Sequence, residues 1–393
     1  MIRHFSISNF KSLGNFSMPM GKFNCLIGLN GSGKSTVLQA LDFLAHVMTG
    51  EVDAWLQARE WDSRDLTCRP LSKRGILFAI RLDFPSLGTV TWGGGYNPVR
   101  HRCTAEIVKT PRNDAEILRV KKGEYRTIDG NGVTDRKEIS FEYQGSILSR
   151  LKTDNPHLLA TKKFFSELKS LELLAPHLMR IRAQTAQDIG TGGEKLAAFL
   201  YTLPRESHAQ IVATLQKFHP NLLDLHIINQ KFGWKKLFIS EQTEERPIGT
   251  LLPIPMTTEA RHINDGLLRQ LAIIAQTHSK HSFLLFDEIE NGMNQEIIGQ
   301  LLNTLLEARQ QIVVTTHSPQ ILNFLSDNVA KESVIFLYKT PQGLTRARRF
   351  FDLPTAAKKL EVLGPGEVYA DTNLETLVQE ALAMDNNQPT DTI

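Results

Sequence analysis

Cysteine is scarce in this chain: Cys25, Cys68 and Cys103 are the three present, far apart and without a C-x-x-C pair. That excludes a disulfide framework and a cysteine zinc site. No run of about 18 apolar residues occurs, so no membrane-spanning helix is expected. Heptads of coiled-coil length are missing, which excludes long coiled-coil arms. Internal repeats are missing too, and the only biased segment is the polar last nine residues. The strand-like alternation starting at Met1 leaves no room for a signal peptide, so a cytoplasmic location is expected. Residues 361–393 hold seven acids, among them Glu361, Asp385 and Asp391, and no Lys or Arg. Since the whole chain carries +3, residues 1–360 hold a clear positive surplus. A basic body with an acidic tail fits a nucleic-acid or acidic-protein partner, and fits an ordinary solvated surface nearly as well.

What is present is the make-up of a globular chain, 41% hydrophobic and 22% charged. Residues 2–8 alternate as a half-buried strand does, and Phe16–Met18 and Phe23–Gly28 read as further strands. After Lys34, apolar residues recur at Val37, Leu38, Leu41, Leu44, Ala45 and Met48, one face of a helix that Gly50 would stop. Residues 75–145 are β-rich, with turn chemistry at Gly93-Gly94-Gly95 and Asp129-Gly130-Asn131-Gly132. A helix is expected over 156–179, and more helix over 194–217 with a break near Pro204. From 265 onward, helix and strand alternate: helices at 265–279, 294–308 and 319–326, strands at 283–287, 312–316 and 333–338. Such alternation implies a mostly parallel sheet covered on both faces.

Four short motifs carry the chemistry. Gly28-Leu29-Asn30-Gly31-Ser32-Gly33-Lys34-Ser35 is a G-x-x-x-x-G-K-[ST] phosphate loop, set between an apolar run and a helix as that motif requires. Its glycines let backbone N–H groups curl around phosphate oxygens at a helix N-terminus. Lys34 is suited to neutralise the β- and γ-phosphates of ATP, and Ser35 to bind Mg²⁺, with Thr36 closing the loop. Phe283-Leu284-Leu285-Phe286 leads into Asp287 and Glu288, a buried strand ending in two carboxylates. Asp287 is expected to hold Mg²⁺ and Glu288 to polarise the attacking water. His317 follows the apolar run 312–316 and is expected at the same sheet edge, near the γ-phosphate. The fourth motif is Ile263-Asn264-Asp265-Gly266.

Phosphate loop, Asp-Gly signature, acid pair and strand-end histidine, in that order, resemble the heads of ABC-type ATPases. The branch they resemble is that of the RecF/SMC/OLD-like AAA ATPases. Ile7-Ser8-Asn9-Phe10-Lys11-Ser12-Leu13 is similar to its opening strand, Gly193-Glu194-Lys195-Leu196-Ala197 to its middle segment, and Glu288 to Gly292 to its acidic loop. The likeness covers residues 1–60 and about 180–340. It implies an α/β fold, an ABC-type P-loop NTPase head with a mostly parallel sheet, an N-terminal antiparallel β-rich part and a helical insertion. The implied division is an ATPase core at 1–60 and 180–350, a β-rich and helical insertion at 61–179, and an acidic tail at 351–393.

The resemblance further implies an ATP-dependent homodimer, or a higher homo-oligomer, that hydrolyses ATP. In it Asn264, Asp265 and Gly266 of one protomer cap the nucleotide of the other. This sequence departs from the family pattern in placing Asn264 where serine is usual, and Met293-Asn294 where His-Pro is usual. Gln144 and Gln184 are the candidates for the family's Mg²⁺-sensing glutamine. The short remainder after His317 leaves no space for the nuclease domain fused to OLD-type relatives. Stand-alone heads of this kind resemble the ATPase components of bacterial anti-phage or toxin–antitoxin-like operons, with a separately encoded nuclease or toxin as effector. Residues 371–384 fit either a docking helix for that partner or a helix packed on its own core. The alternative function is a RecF-like DNA-binding repair factor, with Arg100-His101-Arg102, Arg119-Lys121-Lys122 and Lys162-Lys163 as phosphate contacts. A transporter ATPase subunit fits poorly, because the signature lies too far from Lys34. A small-molecule P-loop kinase fits worse, having no need of the signature.

Overall fold

The computed structural model describes residues 1–71, 73–110, 115–129, 132–242 and 255–386. Gly130 and Asn131 of the expected turn, and Asp391 of the acidic tail, lie outside them. The chain forms two compact units. The first comprises Met1–Lys169, Leu285–Asp287 and Gln311–Ile393, the second Ser170–Leu284 and Glu288–Gln310.

Seventeen strands occur among the described residues. In chain order they begin with β1 (Ile2–Phe10), β2 (Leu13–Pro19), β3 (Phe23–Ile27), β4 (Ile76–Phe84), β5 (Gly88–Asn97) and β6 (Arg102–Thr110). Next come β7 (Ala115–Lys121), β8 (Glu124–Ile128), β9 (Thr134–Glu138), β10 (Leu168–Ser170), β11 (Leu222–Asn229) and β12 (Lys235–Gln242). The last are β13 (Pro255–Glu259), β14 (Phe283–Phe286), β15 (Gln311–Thr315), β16 (Val334–Lys339) and β17 (Thr345–Arg349).

In the first unit an eight-stranded antiparallel sheet runs β2-β1-β4-β5-β6-β7-β8-β9. The stretch 76–138 therefore continues the sheet that β1 and β2 begin. Its inner face carries Phe78 and Trp92, whose ring centroids lie 4.6 Å apart, and Phe165 packs on Trp92 at 4.8 Å. Phe165 comes from the helix Pro156–Ser166, capped by Asn155, whose side chain accepts from the His157 and Leu158 N–H groups. Here the structure departs from the helix expected over 156–179. That helix ends at Ser166, and Leu168–Ser170 is a strand.

The second sheet has the order β10-β14-β15-β3-β16-β17, and β3 lies parallel to both neighbours, β15 and β16. Every residue of β3, β14 and β15 is buried, as expected of strands covered on both faces. β17 closes the edge as an antiparallel strand. Helix α1 (Lys34–Thr49) leaves the end of β3 and stops at Gly50, which has φ 77° and donates its N–H to the His46 carbonyl.

The C-terminal helix Leu374–Asn386 belongs to this unit. Leu377 and Ala381, on the face that fits docking, are buried in the chain itself. Asp385 accepts from the Tyr338 hydroxyl and from Arg348, each at 2.8 Å, and Glu380 accepts from the Thr355 N–H. The acids of the tail thus serve partly as internal ties.

The second unit holds the three-stranded antiparallel sheet β11-β12-β13. Its helices include Leu196–Thr202, Arg205–Phe218, Asp265–Thr277 and Gln295–Glu307. The expected break at Pro204 falls between the first two.

Candidate functional site

The parallel strands of the first unit bring three of the four motifs to one edge. β15 pairs with β3 so that Thr315 lies beside Leu26, and the Thr316 N–H donates to the Leu26 carbonyl at 3.1 Å. His317 therefore emerges, exposed, at the level where β3 passes into Gly28. From the β14 side, Asp287 accepts a hydrogen bond from the Thr315 hydroxyl. Phosphate loop, Asp287 and His317 are thereby joined through the two threonines at the end of β15, at the carboxyl ends of the strands where open α/β sheets place ligands.

The loop itself is built to receive an anion. Gly28, Gly31 and Gly33 have φ of 144°, 75° and 107°, a left-handed backbone that a side chain would strain. A Cβ on Gly28 would collide with the Leu337 carbonyl, and one on Gly33 with the Thr345 hydroxyl. At the exposed tip, a Cβ on Gly31 would meet nothing within 4 Å. Lys34 is 5% exposed, and its Nζ donates to the carbonyls of Gly28 (2.9 Å) and Leu29 (3.2 Å). Helix α1 follows its N-cap Gly33 with no side-chain cap, and the N–H groups of a helix's first turn suit an anion. Ser32 Oγ is buried without a hydrogen-bond partner. An uncapped helix start, an orphaned buried hydroxyl and a lysine together fit a polyphosphate. No cluster of three His, Cys, Asp or Glu exists among the described residues. A few protein oxygens such as those of Ser35 and Asp287 suit Mg²⁺, which commonly takes one or two carboxylates and completes its shell with phosphate and water oxygens.

Thr345 is a part of this site that sequence reasoning missed. It is fully buried at the start of β17, and its hydroxyl donates to the Ser32 carbonyl at 2.8 Å. Its Oγ1 lies 2.8 Å from Ser12 Oγ, and its N–H donates to the Ser12 carbonyl. The opening motif around Ser12 is thus tied to the phosphate loop through a residue over three hundred positions away. No local pattern signals such a tie.

Glu288 and the 264–266 motif belong to the second unit. Glu288 has φ 45°, rare for a residue with a side chain, and its carboxylate accepts from Asn291 Nδ2. Asn264 caps the helix Asp265–Thr277, its Oδ1 accepting from the Leu267 N–H at 2.8 Å. That bond orients the amide so that Nδ2, a donor, faces away from the cap. Asp265 is held by Arg180, whose guanidinium also donates to the Ile263 carbonyl, at 2.5 and 2.8 Å respectively. Gly266 faces the Gly292 carbonyl, which would lie 2.5 Å from a Cβ there, so the signature and the acidic loop pack backbone to backbone.

The two glutamine candidates are placed elsewhere. Gln144 accepts from the Asp53 N–H, and two residues on the Ser146 N–H donates to the Val47 carbonyl. That is the C-terminal end of α1, roughly 20 Å of helix from Lys34 at 1.5 Å per residue. Gln184 donates to the Phe232 carbonyl in the second unit. The path of the β-rich segment thus takes Gln144 to the far end of the helix.

A strand, glycine loop and helix beside a strand-end carboxylate define the head of a P-loop ATPase. Comparison with known proteins agrees. The family described as "AAA ATPase domain" matches residues 1–172, and the family described as "AAA domain, putative AbiEii toxin, Type IV TA system" matches residues 257–323. Among solved structures, an SMC head bound to the C-terminal winged-helix domain of ScpA is 17% identical, with a TM-score of 0.53, over 88% of this chain and 96% of that one. The SMC head domain of Thermotoga maritima is 11% identical with a TM-score of 0.44, over 88% and 98%. A lantibiotic transport ATP-binding protein, SrtF of Streptococcus pyogenes, is 42% identical over 52 residues, or 13% of this chain. The match spans only 22% of that relative's length. Two AAA ATPase family models thus match separate stretches of the chain, and its fold is that of a P-loop ATPase head.

Proposed function

We propose that this protein is an ATP-hydrolysing switch whose heads close in pairs on ATP and control a separately encoded effector in the cytoplasm. The observation that carries the reading is the junction of phosphate loop, Asp287 and His317 through Thr315 and Thr316. Lys34, with Gly28, Asn30, Gly31, Ser32 and Gly33 around it, holds the β- and γ-phosphates. Ser35 and Asp287 hold Mg²⁺, and Thr36 completes the helix start. Bound Mg²⁺ supplies neutralising charge across the phosphates. Glu288, one peptide bond from Asp287, draws the proton from the attacking water, and His317 donates toward the γ-phosphate. Asn264 Nδ2 and the N–H groups of Asp265 and Gly266 face the nucleotide of a second copy. Asparagine suits that position because one side-chain atom caps the helix while the other stays free to donate. Catalysis on this view is positioning plus electrostatics.

The effector is read as a nuclease or toxin of an anti-phage defence system. Support comes from the resemblance to stand-alone heads of such operons, and from the toxin–antitoxin description of the family matching 257–323.

Glu288→Gln tests the mechanism. Turnover should fall by about 10²- to 10⁴-fold, the usual worth of a general base. Light scattering after gel filtration in Mg·ATP should show a dimer mass that reverts without nucleotide. Turnover equal to the parent's would remove Glu288 from the mechanism.

A further inference from the structure

The eight-stranded sheet carries a second site at the end of α1 away from Lys34. A cleft of about 380 Å³ opens there, with Arg100, Arg102 and Lys122 on its rim and Val120, Ile139 and Tyr143 in its walls. No acid lines it, and none of the three cations has a carboxylate partner among the described residues.

The fold makes this cleft on purpose-built turns. β7 ends at Lys121, while the segment after β9 returns alongside the start of β6: the Cys103 N–H donates to the Gly145 carbonyl (2.7 Å) and the Gly145 N–H to His101 (2.8 Å). Between them the first residues of β6 face an open gap. Lys122 and Gly123 form the β7–β8 turn with φ of 53° and 82°, a conformation that Asn-Gly would adopt more readily. His101, between the two arginines, has φ 49°. A left-handed backbone at residues that carry side chains, as at His101 and Lys122, gathers at functional sites. Tyr143 fixes the wall. Its hydroxyl donates to the Cys103 carbonyl at 2.6 Å, and its ring lies 5.3 Å from the Arg102 guanidinium.

Three cations around one cleft with no acid in its lining favour an anion there, and Val120, Ile139 and Tyr143 offer apolar contact to a ligand with a non-polar part. We propose that this cleft binds a terminal phosphate monoester carried by a mononucleotide-sized body, either a free molecule or the end of a nucleic-acid strand. The site is separate from the phosphate loop: the Ser146 N–H donates to the Val47 carbonyl, one turn from the far end of α1. Arg100 and Arg102 thus join Lys122, whereas Arg119 and Lys121 point to the other face of β7.

The test uses the full chain, as the parent and as Lys34→Ala, titrated with 5′-AMP and with a short 5′-phosphorylated oligodeoxythymidine and its unphosphorylated twin. Parent and Lys34→Ala should bind the phosphorylated probes alike. Arg102→Glu and Lys122→Glu should weaken them at least tenfold, and Lys331→Glu, a surface control, should not. A phosphorylated strand binding at least tenfold tighter than 5′-AMP assigns the strand end as ligand; otherwise the free molecule is assigned. Arg102→Gln and Lys122→Gln, checked by melting, serve if charge reversal prevents folding. Binding lost in Lys34→Ala, indifferent to both cleft substitutions, or equal for the phosphorylated and unphosphorylated strands overturns the proposal.

Discussion

Replacing Thr345 by valine removes one hydroxyl and almost no volume, so it isolates the tie between β17 and the phosphate loop. In the parent that hydroxyl donates to the Ser32 carbonyl at 2.8 Å. Since its proton is committed there, the neighbouring Ser12 hydroxyl must donate to it. Valine leaves the Ser32 carbonyl without this donor and the Ser12 proton without its acceptor, in a pocket where Thr345 is fully buried. An unsatisfied buried polar group costs about 1–3 kcal/mol. If that cost falls on the loop's ligand-ready conformation, each 1.4 kcal/mol weakens nucleotide binding about tenfold. Calorimetric titration of Mg·ATP should therefore show an affinity loss of roughly ten- to a hundredfold, and Thr345→Ser should recover most of it. A lowered melting temperature with unchanged ATP affinity would refute the reasoning and reduce Thr345 to a packing residue.

Two further outcomes are expected. Gly266→Ala places a methyl group 2.5 Å from the Gly292 carbonyl, so the start of the Asp265–Thr277 helix must shift at a cost of about 1–3 kcal/mol. ATP should still bind, but light scattering should show no ATP-dependent dimer; dimers at parental level would remove the 264–266 loop from the interface. Glu106 is buried, and burial pushes its carboxyl above the usual 4.5, against the hydrogen bonds it accepts from Ser146, Trp92 and the Ile147 N–H. A raised folded value means its contribution to stability is full below 4.5 and is lost as pH rises through that value. The melting temperature of the parent relative to Glu106→Gln should thus decline as pH rises from 4.5, and a pH-independent difference would contradict the assignment.

How much of this could be read in advance depends on where each signal resides. Gly28 to Ser35 was legible because the turn, the lysine and the hydroxyl sit side by side between an apolar run and an amphipathic helix. β14 and β15 were legible as short apolar runs ending in Asp287 and His317, and Pro204 marked a real break. Leu168–Ser170 was hidden, because Leu168, Leu171 and Leu174 continue the helical spacing of the preceding segment, and three residues are too few to display a strand's period. The β11–β12–β13 sheet went unread: its inward residues Leu222, Leu225, Leu237 and Ile239 are sparse, and the sheet is short. Thr345 and Arg180 carry no local mark at all, since what they do is set by partners distant in sequence. The basic clusters were visible as composition, but the β7–β8 turn that puts Lys122 in the cleft, apart from Lys121 and Arg119 on β7, was not.

The most direct test of the site is equilibrium binding of Mg·ATP to the purified chain and to Lys34→Ala. The parent should bind with saturation at one nucleotide per chain, and Lys34→Ala should show no saturable binding while melting like the parent. Equal binding by both would contradict the assignment of this loop as the nucleotide site.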